Sequence, residues 1–303
     1  MSSAGWFNRR GWRDIIIASP YLWLILFFLL PFLIVVVMSI AKSAAQSPPF
    51  AFLADFPFAW FGNYARLWTK WLYVRAFFIS LTNAGIATVL CLLVGYPMAL
   101  GLTRVPKAAQ RLLLMLVVLP FWTSFLLRVY AWMGLMGRNS WFNRLLTEIH
   151  NLVTPESWHW DGIQMMNTNF AVVLVMVYSY LPFMVLPLYA NLEKLDRTLD
   201  EAAMDLGSKP WQVFLDVTLP LSIPGIVAGG LLVFIPASGE LVIPSLVGNV
   251  SDPMIGYVIS QEFGSNHDWP MASSIAVALL LLLVVPLMAY NHFEARAQTG
   301  PDK

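Results

Sequence analysis

Charge is scarce in this chain. Only 12% of its residues are Asp, Glu, Lys or Arg, where a soluble domain averages about 25%. That excludes an ordinary water-facing surface along most of its length. The two signs nearly cancel, with 18 Lys plus Arg against 17 Asp plus Glu. Net charge therefore names no partner, and no basic patch argues for nucleic acid. Cysteine is almost absent. Cys91 stands alone in an apolar run, so no disulfide can form within the chain. The four histidines, His150, His159, His267 and His292, share no ligand spacing, which argues against a metal site. There is no G-x-x-x-x-G-K-[ST] to cradle phosphates, so an ATPase would have to be a separate chain. No soluble domain, low-complexity linker or clear internal repeat is visible.

What is abundant is apolar surface: 58% of the residues are hydrophobic. A spanning helix needs about 20 mostly apolar residues. Six windows qualify, at about 18–41, 76–102, 112–136, 169–190, 221–247 and 272–291. The first, YLWLILFFLLPFLIVVVMSI, is too long for the apolar region of a signal peptide, and no small-residue cleavage site closes it. Prolines inside the windows are tolerated in membrane helices. The expectation is an all-α integral membrane protein. Residues 1–17 form an N-terminal segment, 18–291 a six-span domain with a polar loop at 191–220, and 292–303 a tail.

Cationic residues orient the spans. With the N-terminus inside, the inner segments hold Arg9, Arg10, Arg13, Arg104, Lys107, Arg111, Lys194, Arg197, Lys209, Arg296 and Lys303. The outer loops hold fewer: Lys42, Arg66, Lys70, Arg75, Arg138 and Arg144. Both termini are therefore expected in the cytoplasm, with 191–220 on the same side. In the first outer loop, WFGNYARLWTKWLYVRAFF (60–78) reads as an interfacial helix, with Trp60, Trp68, Trp71 and Tyr73 at headgroup level.

The polar loop is carefully punctuated. Thr198 and Glu201 have capping-box spacing, which predicts a helix from Leu199. Leu199, Ala202, Ala203 and Leu206 fall on one face. Gly207 is the natural left-handed stop. Ser208 is placed to cap a second helix whose first turn accepts Pro210. The result is a two-turn helix with a small-residue face. Asp200, Glu201 and Asp205 are available to basic groups. Read alone, this is better taken as an ordinary capped loop helix lying on the membrane.

The full spacing adds more. Glu201-Ala202-Ala203 is followed by three residues, Gly207, nine residues, Val217, one residue, then Leu219-Pro220. This resembles the EAA loop of permease subunits of binding-protein-dependent (type I) ABC importers, with Val217 in place of isoleucine as the departure. The resemblance implies that Glu201, Ala202, Ala203, Asp205, Leu206 and Gly207 form a coupling helix that fits a groove on the cytoplasmic ATPase. It implies a heterodimer with a second permease, two ATPase subunits that bind ATP and Mg, and a soluble binding protein outside. The chain itself would be a non-catalytic, cofactor-free subunit in the bacterial inner membrane.

Charge inside a span marks function by default. Glu240 lies in window five, between Gly239 and Pro244, and suits a cation or a structural partner. Arg128, in window three, is explained at least as well by snorkelling to the outer headgroups. Trp122, Tyr130, Trp132, Tyr178 and Tyr180 offer ring faces to ammonium groups, or simply pack. Asp268 stands at the outer mouth of window six. It would attract a cation or cap the last helix. The stretches LPFWTSFLLRVYAWMGLM (119–136), YSYLPFMVLPLYANLEKLD (178–196), VFIPASGELVIPSLVG (233–248) and HDWPMAS (267–273) are similar to polyamine importer permeases, putrescine transporters foremost. That resemblance implies a carboxylate at Glu240; with Tyr178, Tyr180, Trp122 and Asp268, taken from the readings above, it makes up the candidate substrate path. The alternatives keep the importer and change the cargo to spermidine, thiamine, iron or an opine-like amine, or make the chain an ion-coupled secondary transporter. The latter predicts more intramembrane ionisable residues and an internal repeat. A membrane enzyme would cluster His, Asp or a nucleophile near one leaflet, and nothing here does.

Overall fold

The computed structural model describes residues 9–44, 48–51, 61–155, 158–196 and 198–298. Along the described residues the chain begins with α1 (Arg9–Leu24), a π-helical stretch (Ile25–Leu29) and α2 (Leu30–Ser39). A minimal hairpin of β1 (Lys42–Ser43) and β2 (Phe50–Ala51) follows, then α3 (Gly62–Thr69) and α4 (Trp71–Arg104). Next come α5 (Lys107–Val118), α6 (Phe125–Met136), α7 (Trp141–Val153) and α8 (Asn169–Leu192). The polar loop carries α9 (Thr198–Asp205) and α10 (Pro210–Val213). The chain closes with α11 (Leu219–Leu221), α12 (Ile223–Ser238), α13 (Val242–Val247), α14 (Ile255–Gly264) and α15 (Trp269–Gln298).

Among the described residues, three stretches are long and apolar enough to cross a membrane unbroken: Ile17–Ser39, Trp71–Arg104 and Asn169–Leu192. Two more qualify as bent pairs. Lys107–Trp122 meets Phe125–Val153 at 89°, and Pro210–Leu221 meets Ile223–Ser238 at 63°. Trp269–Val284 is a shorter apolar helix. The window at 112–136 is therefore not one straight rod. Pro120 ends the first part, and Thr123 and Ser124 are extended before the second begins. Window five is interrupted twice, at Ser222 between Pro220 and Pro224, and at Gly239–Leu241.

The chain divides into two compact units, residues 1–71 with 259–285, and 72–258 with 286–303. In the first, Asn63 anchors the end of α2. Its Nδ2 donates to the carbonyls of Ser39 (3.0 Å) and Ala41 (2.8 Å), which the helix leaves open. Ser274 Oγ donates to the Ser39 carbonyl as well, at 2.8 Å. The interfacial reading of 60–78 needs correction. Trp60 lies outside the described residues. The helix breaks at Lys70, whose backbone is extended. Trp68 and Trp71 are exposed, but Tyr73 is buried and belongs to the core.

In the second unit, α8 is the central element, buried against α4, α12 and α13. Its contact with α12 depends on small residues. A Cβ on Gly229 would meet Met184 Sδ at 2.8 Å, and one on Gly225 would meet Asn191 Cβ at 2.7 Å. Small residues four apart let two membrane helices approach backbone to backbone. On the other side of α8, Gly95 of α4 lies against Met184 and Val185. Tyr96 Oη and Ser222 Oγ hydrogen-bond at 2.8 Å, which ties α4 to the kink that opens α12.

Candidate functional site

Two sites emerge, both within the second unit. The first is α9. No side chain on it is buried, and Leu206, just past its end, is 89% exposed. Asp200 and Glu201 stand in its first turn, where the helix dipole favours negative charge. Its start differs from the capping box expected at Thr198 and Glu201. The helix begins at Thr198 itself, whose backbone N–H donates to Asp196 Oδ1 at 3.0 Å. Asp196 is two residues upstream and closes an Asx-type turn, so the acceptor comes from before the helix. That bond holds the Asp196 carboxyl below its ordinary range.

The end of α9 matches the expectation for Gly207. Its φ of +91° is one that L side chains rarely adopt. Gly207 N–H donates to Met204 O (2.9 Å) and Ser208 N–H to Ala203 O (3.1 Å), the paired bonds of a Schellman stop. The second helix starts differently from the expected Ser208 cap. Lys209 precedes Pro210, and Gln212 Oε1 accepts the Lys209 N–H at 2.8 Å. Thr218 Oγ1 donates to Asp200 Oδ1 at 3.3 Å, a direct strap from α9 to the helix leading into α12.

Behind α9 lies an open cleft of about 700 Å³. Arg104, Lys107 and Gln110 line one wall; Glu193, Asp196, Asp200 and Glu201 line another. Gln110 Nε2 donates to Tyr189 Oη at 2.6 Å, and Lys107 Nζ approaches Glu193 Oε1 at 3.5 Å. The Tyr189 hydroxyl, and secondarily Lys107, keep the Glu193 carboxyl below its usual range. Sequence reasoning missed this cluster. Its members are far apart in the chain and carry no motif.

The second site surrounds Glu240. It lies not in the body of a helix but in the break between α12 and α13, and it is buried. Oε1 accepts the N–H of Val242 at 2.9 Å and of Ile243 at 3.4 Å, so the side chain caps α13. Tyr180 donates its hydroxyl hydrogen to Oε2. Gly256 presses on the same break: a Cβ there would be 2.4 Å from Gly239 O and 2.6 Å from Glu240 O. Beside Tyr180 opens an apolar cavity of about 610 Å³, walled by Phe183, Ala228, Leu232, Ile235 and Pro236.

The remaining candidates disperse. Tyr178 packs edge-on against Trp132, with ring centroids 5.6 Å apart. Trp122 is 75% exposed. Asp268 belongs to the other unit. There its Oδ1 accepts the Met271 N–H at 3.1 Å, capping α15, and its Oδ2 pairs with Arg66 at 3.4 Å. Arg128 stacks over Phe121 and Phe125, 5.5 Å from each centroid, with Nε and Nη1 buried and without a partner. No group of three metal-ligating side chains occurs among the described residues.

Residues 4–299 match the family described as the binding-protein-dependent transport system inner membrane component. The chain belongs to this family of ABC importer permeases. It is thus a multi-pass, non-catalytic inner-membrane subunit. Among relatives of this permease is the spermidine/putrescine transport system permease protein PotB of Haemophilus influenzae, 39% identical over 92% of each chain. PotB of Escherichia coli is 37% identical, over 88% of this chain and 92% of that one. In fold, the permease resembles a bacterial alginate ABC transporter solved in complex with an alginate pentasaccharide-bound periplasmic protein. The TM-score is 0.70 at 16% identity, over 95% of this chain and 98% of that one. The type I importer permease fold expected from the EAA spacing is therefore the fold observed.

Proposed function

We propose that this permease carries a polyamine, putrescine foremost, into the cell, driven by ATP hydrolysis on a separate subunit. The reading includes a second permease as heterodimeric partner, two ATPase subunits, and an external polyamine-binding protein. Both termini would be cytoplasmic, with α9 as the coupling helix. The observation that carries the mechanism is α9 itself: an exposed two-turn helix, fixed at both ends and strapped by Asp200–Thr218 to the helix leading into α12. Apolar side chains held out from a polar loop, such as Leu199 and Leu206, are what a partner groove would cover. A push on α9 would pass through α10 to the kink at Ser222, and so to the break that holds Glu240. The substrate class is supported by the two PotB relatives.

Glu240 has two roles under this reading. As a path residue it would offer a counter-charge to an ammonium group. As a structural residue it caps α13 and ties it to α8, which its three hydrogen bonds favour in the conformation observed. Both roles are compatible if opening the break releases the carboxylate.

The test is uptake of radiolabelled putrescine in cells lacking their own polyamine importers, supplied with this permease and its partner subunits. Glu201→Lys should abolish uptake by uncoupling. Glu240→Gln should reduce it while the complex still assembles and hydrolyses ATP. Spermidine as competitor separates the two cargoes. Absence of wild-type uptake of either amine, with all subunits in the membrane, would remove the polyamine assignment.

A further inference from the structure

Behind α9 several polar side chains converge on one hydroxyl. Tyr189, in the last turn of α8, accepts an N–H of Gln110 Nε2 at 2.6 Å. Its own hydrogen goes to Glu193, the residue that ends α8. A phenol has one hydrogen to give and lone pairs to receive, so these two bonds occupy the hydroxyl. Gln110 Nε2 also reaches Glu193 Oε1, at 3.4 Å. Gln110 is only 6% exposed, so losing its acceptor would cost more than losing a surface bond. Lys107 adds little, since its ammonium is exposed and 3.5 Å from Glu193.

Glu193 is the root of α9. The chain from there onward is tied into hydrogen-bonded turns. Lys194 N–H donates to Asn191 O at 3.1 Å, Leu195 N–H to Leu192 O at 3.3 Å, and Leu199 N–H to Asp196 O at 3.2 Å. Leu192 is part of the buried core. α5 faces α9 across the open cleft, with Lys107 and Gln110 on one side and Asp200, Glu201 and Met204 on the other. The tie from α5 to α9 therefore runs through Tyr189 and Glu193.

The far end of α5 leads toward Glu240. Just past it, Phe121 packs edge-on against Phe183 of α8, with centroids 5.0 Å apart. The Phe183 ring lies 6.2 Å from that of Tyr180, the donor to Glu240. The α5 segment is thus fastened to α8 at both ends, by a polar tie at the root of α9 and by rings near Glu240.

We propose that Tyr189 is a positioning residue that makes α5 and α9 travel as one body. Its role in transport rests on α9 being the coupling helix. A push on α9 then reaches the Tyr180–Glu240 bond from both sides. One route runs through α10 and α12 to the break that holds Glu240. The other runs through α5 and Phe121 to the α8 face that holds Tyr180. Two routes acting on the two partners of one bond can part them, which frees the carboxylate.

The experiment places spin labels at Ala108→Cys on α5 and Asp205→Cys on α9, in a Cys91→Ala background. The complete transporter is held in lipid nanodiscs, and the distance between the labels is read without nucleotide and with ATP and vanadate. It should be the same in both states. In Tyr189→Phe it should shift between them. A shift with Tyr189 intact overturns the proposal, and so does a fixed distance in Tyr189→Phe. Thr198→Cys replaces Asp205→Cys if that label blocks assembly. Lost stability alone would not move a distance measured in assembled complexes. Tyr189→Phe should also import less radiolabelled putrescine per ATP hydrolysed. An unchanged ratio there, with Glu201→Lys impaired in the same assay, would remove the second route. Wild-type coupling in Glu201→Lys would instead remove α9 as the coupling helix, and the distances would still decide whether α5 and α9 move together.

Discussion

Tyr180 of α8 donates its hydroxyl hydrogen to Glu240, which lies in the break between α12 and α13. The pair links the buried helix α8 to the break in the apolar stretch that follows α12. A buried carboxylate left with an unfilled lone pair costs about 1–3 kcal/mol, and more when charged. Tyr180→Phe should therefore lower the unfolding temperature of the purified complex, and Glu240→Gln should do so less, because an amide oxygen can still cap α13. The two changes should be non-additive, since each removes the same bond. Additive losses in the double variant would mean that the bond contributes nothing.

The break depends on a close backbone approach. At Gly256 an added Cβ would lie 2.4 Å from Gly239 O and 2.6 Å from Glu240 O, and neither backbone atom can swing aside. Gly256→Ala should destabilise the complex by about 1–3 kcal/mol, the usual range for overpacking. It should also reduce uptake, because the Glu240 carbonyl moves with the clash. Gly101→Ala, where nothing lies within 4 Å, is the control. Equal thermal stability for the two variants in detergent would refute the close approach.

Much of this was legible in the sequence, and the boundary is physical. The glycine stop at Gly207 was readable because left-handed backbone has a residue preference. The EAA spacing was readable because it is local. The start of α9 was misread because Thr198 and Asp196 are both competent acceptors, and only the backbone path decides between them. The bends at Thr123–Ser124 and Ser222 lie beside Pro120 and Pro224. A membrane helix can absorb a proline or break at it, and neighbouring contacts such as Tyr96–Ser222 decide which. The Gly225–Gly229 pair carries a local signal, small residues four apart in an apolar helix. Pairings such as Tyr180–Glu240 and Lys107–Glu193 are long-range and leave no pattern in one sequence. Asp268 was readable to two alternatives, and the bond from Met271 N–H favours the cap.

The stop of α9 gives a prediction about coupling. No atom lies within 4 Å of a Cβ at Gly207, so substitution there meets only backbone strain. For an L-residue in left-handed conformation that strain is about 1–2 kcal/mol, least for Asn. Gly207→Val should lower transport while leaving membrane insertion intact, and Gly207→Asn should retain more activity than Gly207→Val. The measurement is uptake normalised to complex recovered from the membrane. Equal activity in the two variants would mean that the angle of α9 is not what the ATPase reads.

Acid should loosen α9 from its N-terminal end. The Asp196 carboxyl is held low by the Thr198 N–H, and its ordinary value is 3.8. A group whose folded pKa lies below its unfolded value adds stability above the unfolded value, and that stability is lost as pH falls through the folded one. The start of α9 is therefore at full strength at pH 7 and pH 5, and weakens only below about pH 4. Glu193 shifts in the same direction, through Tyr189 and then Lys107. Both carboxylates face water, so salt should blunt the effect. Hydrogen exchange of the α9 peptide, corrected for intrinsic rates, should show protection that is flat from pH 7 to 5 and declines below 4. In Asp196→Asn the neutral amide can still accept the Thr198 bond, so protection should start lower and lose its acid dependence. A decline centred near pH 6, unchanged by Asp196→Asn, would assign the titration to another group.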